Sequence, residues 1–451
     1  MTDWSVRLAE LAAAADVPGA VLGIWADGEQ TVVPYGVLSR ATGVEVTGDS
    51  VFQIGSITKP WTATMVMQLA AEGRLALDDT VAKLLPEAAF ATADRVTVRQ
   101  LLMHTSGIDG DVFTDTGRGD DCLEKYVALL PEVAQIFEPG AAYSYCNSGF
   151  AVLGRIIEVL DGRTFDESLK ARLVEPLGLE HTVTLPEDAI LHRAAVGHSL
   201  VDGLAVKSWM LPRSLTPVGL ITQSAADLLA FARFHLDGGV TRDGVRLLDA
   251  EAVATMQELA VPVAGATGMA GVGLTWRLND WGDRLLYGHD GTTVGQLAFL
   301  RIDPVSRVAV CLLTNSPTAP ALFNSLFREV FAEYAGLVMP GTPEPFDGEV
   351  PDGFERHTGE YARSGVTFDV NASGEAGVNG GPAVVVRATG DRADLADFPE
   401  RTYDLAPADA SGDRFLLREG PDQPWTSFEF REFPDGAPYV FSSGRVTPKV
   451  P

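Results

Sequence analysis

At 451 residues, with 46% hydrophobic side chains, the chain has enough apolar material for a sizeable core and suits a large catalytic domain plus something smaller, or two comparable domains. Its formal net charge is −27, and no run of lysine or arginine is long enough to follow a phosphate backbone, which argues against nucleic acid and anionic membranes as partners. Cys122, Cys146 and Cys311 are scattered; they match no metal-ligand spacing and no even disulfide set, as expected of a reducing cytosol, and no metal or other cofactor is expected.

The N-terminal "MTDWSVRLAELAAAAD" lacks a basic segment followed by an apolar stretch, and no run of 18 apolar residues occurs. A cytoplasmic protein without secretory signal or membrane span is therefore expected. Residues 3–16 carry apolar side chains at helical spacing, and "PGAVLGIWADGEQTVVPYGVLS" reads as two strands joined by a turn at Asp27-Gly28. Further helices are predicted at 59–72, 97–103, 124–136, 147–161, 165–173, 224–236, 250–257 and 320–335. Two strong strands around an Asp-Pro turn fill 295–316. A stretch rich in proline, glycine and acid, 339–352, marks a linker between a first domain, 1–338, and a second, 353–451. In the second, six short alternating runs separated by Gly, Asp and Pro predict a small antiparallel β-barrel.

Three short patterns carry chemistry. In "GSITKP", Ser56 and Lys59 stand three apart, one turn of a helix, so the amine can reach the hydroxyl and take its proton. Pro60 is tolerated only in a first helical turn, which places the helix start beside Ser56. An amine in so apolar a context is partly desolvated and its pKa lowered. In "YSYCNSGF", Tyr145 and Asn147 are two apart, on the same side of an extended segment. In "YGHDGTTVG", His289 and Asp290 precede Gly291, which lets a substrate approach the strand edge. The N–H groups of Thr292 and Ser56 are candidates for an oxyanion hole. Each pattern alone also fits a purely structural role, as a helix cap, a core aromatic or a hairpin turn.

The order S-x-x-K, Y-x-N, H-x-G, at intervals of 89 and 144 residues, resembles that of the penicillin-binding-protein-like serine hydrolases, in their cephalosporinase-type branch. The resemblance spans roughly residues 3–338 and includes "VTVRQLLMHTSGI" and "GLITQSAADLLAFARF". It implies an α+β, β-lactamase/transpeptidase-like domain: an antiparallel sheet flanked by helices, with an all-α subdomain. It further implies that Ser56 is acylated, that Lys59 and Tyr145 share general-base and general-acid duty, and that Asn147 orients substrate. His289 then replaces the lysine of the family's K-T-G triad, which argues against efficient β-lactam hydrolysis.

Within the branch, the acidic insertion 107–122, Asp290 beside His289 and Arg445 on a barrel strand resemble the stand-alone penicillin-binding-protein-type thioesterases, cyclases of nonribosomal peptides that append a lipocalin-like barrel. That likeness implies a peptidyl thioester or carrier-protein-bound peptide as substrate, with transient contact to a synthetase carrier domain. Asp290 would meet the attacking amine, Arg445 would bind peptide carbonyls and Gly219 would keep the rim open. His104 reads as part of a helix-ending turn. A plain carboxylesterase or D-aminopeptidase of the same fold, and a catalytically inactive binding protein, remain as alternatives.

Overall fold

A computed structural model describes residues 2–263, 268–348, 350, 352–372, 381–390, 400–418 and 425–451. The first part of the chain builds an eight-stranded antiparallel sheet. Its strands run in the order Glu29–Gly36, Gly19–Ala26, Val308–Thr314, Leu297–Asp303, Leu285–Thr292, Arg277–Asp280, Met269–Val272 and Val261–Pro262. Alternate side chains along each strand enter different cores. Ala20, Leu22 and Ile24, with Val310 and Leu312, pack under the helices Trp4–Ala14 and Ala319–Ala335. Val21, Ala309, Cys311 and Leu313 face the larger core instead, under Ala225–Leu236. Both faces are covered, which is why these strands read as near-continuous apolar runs.

Phe52–Gln53, Thr222–Gln223 and Thr182–Val183 form a short three-stranded sheet, and the strands from Gly359–Arg363 to Arg445–Pro448 form a second eight-stranded antiparallel sheet in simple sequential order. The last segment returns to the first: Val450 N–H donates to the Glu360 carbonyl at 2.8 Å, and Lys449 pairs with Tyr361, so the barrel is nearly closed. Phe368, Phe415, Phe428 and Phe430 fill it. The six predicted runs become eight strands because two of them, 359–372 and 439–447, each contain a hairpin, turning at Ser364-Gly365 and Ser443-Gly444. Glu349 and Pro351 of the predicted linker, and 373–380, 391–399 and 419–424 of the predicted barrel, lie outside the described residues.

The helix expected over 124–136 runs from Cys122 to Leu129 and tightens into a 3₁₀ turn over Leu130–Glu132, where Pro131 has no N–H to continue the ladder. Among the described residues no helix is long and apolar enough to cross a membrane. The barrel sits against the catalytic sheet through an apolar cluster in which Phe137, Tyr143, Val263 and Met269 meet Tyr439, Phe441 and Val446. That contact carries the barrel's last hairpin to the motif residues.

Candidate active site

Gly55–Ile57 forms a 3₁₀ turn that feeds the helix Thr58–Ala71, with Pro60 in its first turn. This helix is buried on all sides from Thr58 to Leu69, so Lys59, one turn after Ser56, is drawn into the protein interior. Its amine has three acceptors: Asn147 Oδ1 at 2.8 Å, the Val218 carbonyl at 3.1 Å and Ser56 Oγ at 3.2 Å. Burial, and then the Arg445 cation, hold its pKa well below the usual lysine range, while Asp111 opposes them. The direction of that shift favours the neutral amine, the form that can accept a proton.

The segment carrying Tyr145 and Asn147 is pinned by its backbone. Tyr145 N–H donates to the Gly444 carbonyl at 2.9 Å, Cys146 N–H to His104 Nδ1 at 3.0 Å and Asn147 N–H to the Gly110 carbonyl at 3.0 Å. Cys146 caps the helix Asn147–Asp161 by accepting from Gly149 N–H. Asn147 thus starts a helix, yet it and Tyr145 both face Lys59, as expected: Nζ lies 4.7 Å from the Tyr145 ring centroid. The Tyr145 hydroxyl has no hydrogen-bond partner among the described residues. Burial holds the phenol above its ordinary range, so it rests as a proton donor. His104 ends the helix Val98–Leu102 at a left-handed φ of 59° and sets its ring 4.4 Å from that of Tyr145, tilted by 30°. It backs the phenol.

The strand Leu285–Thr292 passes the nucleophile turn at very close range. A Cβ on Gly291 would lie 1.8 Å from the Ile54 carbonyl oxygen, and one on Gly55, whose φ is +52°, would lie 2.5 Å from Thr292 N. These two glycines let the Thr292 amide stand beside the Ser56 turn, the placement an oxyanion hole requires. His289 is buried, its ring centroid 6.0 Å from that of Tyr145. Its Nδ1 bonds the Asp290 carbonyl, its Nε2 has no partner among the described residues, and burial pushes its pKa down to about 3, so it stays neutral. Asp290 corrects an expectation. Strand alternation turns it to the other face, where Arg301 grips both carboxylate oxygens at 2.6 and 3.1 Å and Arg277 adds a contact at 3.0 Å. The two cations hold its pKa down at about 2, against burial, and its carboxylate is committed to them instead of to a substrate amine.

Gly219 is also not on a rim. It is buried, and a Cβ there would make ordinary contact, at 3.4 Å, with the Gly55 carbonyl carbon. Arg445 does reach the site, its guanidinium 4.9 Å from the Tyr145 centroid, where it ion-pairs with Asp111 through Nε at 2.7 Å. Asp111 and Arg363 are the site residues that sequence reasoning missed. An aspartate in a loop with four others looks solvated, whereas Asp111 is buried and also accepts from Asn147 Nδ2 at 2.8 Å and Arg363 Nη1 at 2.6 Å. Its barrel partners lie hundreds of residues away, beyond any local pattern. A cavity of about 390 Å³ opens between Phe113 of the acidic loop, Met210 and Leu211, and reaches Leu220, next to Gly219. Among the described residues no cluster of His, Cys, Asp or Glu could hold a metal ion. The arrangement can take a proton from Ser56, supply one from Tyr145 and stabilise an oxyanion.

Comparisons with known proteins show the family and the fold. The family model described as Beta-lactamase matches residues 7–334. The chain belongs to the beta-lactamase family. Penicillin-binding protein 4 of Amycolatopsis lactamdurans is 45% identical over 371 residues, covering 80% of this chain and 97% of that protein. A crystal structure of SurE superposes with a TM-score of 0.79 at 30% identity, covering 99% of this chain and 98% of that one, so the likeness extends through the barrel. A class C beta lactamase from Rhodobacter sphaeroides, at 22% identity and a TM-score of 0.62 over 73% of this chain and 100% of its own, shares the fold of this beta-lactamase-family member.

Proposed function

We propose that the protein is a serine acyltransferase that cyclises nonribosomal peptidyl thioesters head to tail. The observation that carries this reading is the approach of Lys59 Nζ to both Ser56 Oγ and the Tyr145 ring, with a barrel arginine over the same ring. Neutral Lys59 takes the Ser56 proton as Oγ attacks the thioester carbonyl. The carbonyl oxygen becomes an oxyanion facing the Thr292 and Ser56 amides. As the intermediate collapses, the carbon–sulfur bond breaks, and the thiol leaves with a proton passed from Lys59 through Tyr145. The peptide's own N-terminal amine then attacks the ester, giving its proton back along the same route and restoring Ser56. Neutral His289, whose Nε2 has no partner among the described residues, is a hydrogen-bonding partner for the peptide backbone. The Phe113–Leu220 cavity is a place for the acyl-donor side chain.

Support for the finer reading comes from the likeness to SurE along the whole chain, including a structure of SurE with D-Leu at 29% identity and a TM-score of 0.77 over 99% of this chain and 98% of that one. A D-configured acyl-donor residue is accordingly part of the proposal, as is a carrier-bound donor in the cytoplasm. Aminolysis prevails over hydrolysis when a tethered amine is held near the ester and water is kept out.

A second reading has its own support: the 45% identity to Penicillin-binding protein 4 favours acylation of the same serine by a β-lactam. Synthetic peptidyl thioesters differing only in the configuration of the last residue separate the two. The proposal predicts cyclic product from the D-terminated peptide, read by mass spectrometry. Linear acid alone, together with stoichiometric labelling by a fluorescent penicillin, would favour the second reading.

A further inference from the structure

Asp111 lies outside the three motifs, yet both of its oxygens are committed inside the site, and its side chain is 1% exposed. Oδ1 accepts from Asn147 Nδ2 at 2.8 Å and from Arg445 Nη2 at 3.1 Å; Oδ2 meets Arg445 Nε at 2.7 Å and Arg363 Nη1 at 2.6 Å. An ionised carboxylate only accepts hydrogen bonds. It therefore fixes which end of the Asn147 amide faces it. With Nδ2 held by Asp111, Oδ1 must face Lys59, where it accepts at 2.8 Å. A flipped amide would set oxygen against carboxylate and NH₂ against the amine.

We propose that Asp111 is a positioning residue through which the barrel controls the base of Ser56: it orients Asn147 toward Lys59 and holds Arg445 against Tyr145. The proposal rests on the acyl-transfer reading above and adds that the barrel is a working part of the active site. A neighbouring contact on the same loop points the same way, since Ser364 N–H, at the first barrel turn, donates to Asp109 Oδ2 at 2.7 Å.

The charge pattern gives a distinguishing readout. The groups facing Lys59 are Tyr145 and Cys146 before the helix, His104 on the helix-ending turn, His289 on the strand, Asp111 on the acidic loop and Arg445 from the barrel. Burial keeps the phenol and thiol protonated and both imidazoles neutral near pH 7. The fixed charges among them are then the Asp111 anion, which favours protonated Lys59, and the Arg445 cation, which disfavours it. Acylation needs the neutral amine. Removing Asp111 therefore moves the acid limb of acylation to lower pH, and removing Arg445 moves it to higher pH. A merely structural role for either would lower the rate without moving the limb in opposite directions.

The test uses the full chain and the burst of p-nitrophenol released from p-nitrophenyl acetate, followed across the acid limb. Asp111→Asn is expected to acylate at least about tenfold more slowly, having lost a charge-assisted bond that orients Asn147. Arg445→Met, which leaves Asp111 paired with Arg363, is expected to show the upward shift. Because Asp111→Asn leaves Arg363 and the partly buried Arg445 without their shared counterion, the double variant Asp111→Asn/Arg363→Met, which removes one cation with the anion, is measured beside it. Unchanged rate and limb in a folded Asp111 variant overturn the proposal. If neither Asp111 variant folds, an unmoved limb in Arg445→Met overturns it and an upward shift supports it. Absence of any burst from the wild-type protein would instead overturn the acyl-enzyme reading itself.

Discussion

Gly291→Ala is the substitution whose effect follows most directly from the geometry. The added Cβ would stand 1.8 Å from the Ile54 carbonyl oxygen, 2.7 Å from its carbon and 3.1 Å from Gly55 Cα. A carbon–oxygen contact settles at about 3.3 Å, so the strand and the nucleophile turn must part by about 1.5 Å. Backbone opposes backbone here, and no flexible side chain can give way. The parting separates the Thr292 amide from Ser56, and a misplacement of about 1 Å is worth about 10²-fold in rate. The variant is therefore expected to acylate about 10²-fold more slowly and to lose about 1–3 kcal/mol of stability to overpacking. Single-turnover acylation by a peptidyl thioester and chemical denaturation measure the two. Gly219→Ala is the control, since its Cβ would meet the same turn at an ordinary 3.4 Å, and its rate should fall far less. Wild-type acylation by Gly291→Ala would refute the argument that close backbone approach builds the oxyanion hole.

Asp290→Asn should damage stability and spare acceptor binding. It leaves Arg301, whose side chain is 8% exposed, without its counterion. The expected loss is about 2–3 kcal/mol, below the about 3–5 of a wholly buried pair because Asp290 is partly exposed. Its folded pKa, about 2, is below the unfolded value, so its stabilisation is present above about pH 4 and is lost as pH falls toward 2. A raised KM for the attacking amine, with stability unchanged, would contradict this. The buried histidines act with the opposite sign of charge but the same pH trend. His235 and His289 are pushed down to about 3, so the unfolded chain binds protons that the folded chain refuses. Each should cost about 1.4 kcal/mol per pH unit below about pH 6.5. His235→Gln is expected to flatten the acid limb of denaturant-derived stability by one proton; an unaltered slope would show that the imidazole is protonated in the folded state.

Local patterns carried much of this far. Pro60 marked the start of the nucleophile helix, and the spacing of Ser56 and Lys59 placed them together because one helical turn does so whatever the fold. The apolar runs at 19–26 and 297–314 revealed buried strands but not their neighbours, because register is set by tertiary packing. His289 and Asp290 show the limit of motif reading: adjacency in sequence put them on opposite faces, and the arginines that claim Asp290 sit at positions 277 and 301 on flanking strands. Asp111 was illegible for a similar reason. Its ion-pair partners Arg363 and Arg445 come from the barrel, 252 and 334 residues away in sequence.

The central claim is that Ser56 is the nucleophile activated by Lys59. Intact-protein mass spectrometry after mixing with a peptidyl thioester tests it most directly, with peptide mapping of the adduct. The three cysteines are buried and their thiols pushed up to about 11 or 12, so they do not compete as nucleophiles. The account predicts one acyl group, mapped to Ser56, that is absent from Ser56→Ala and strongly slowed in Lys59→Met. An adduct of equal yield in Ser56→Ala, or one mapped to another residue, would contradict it.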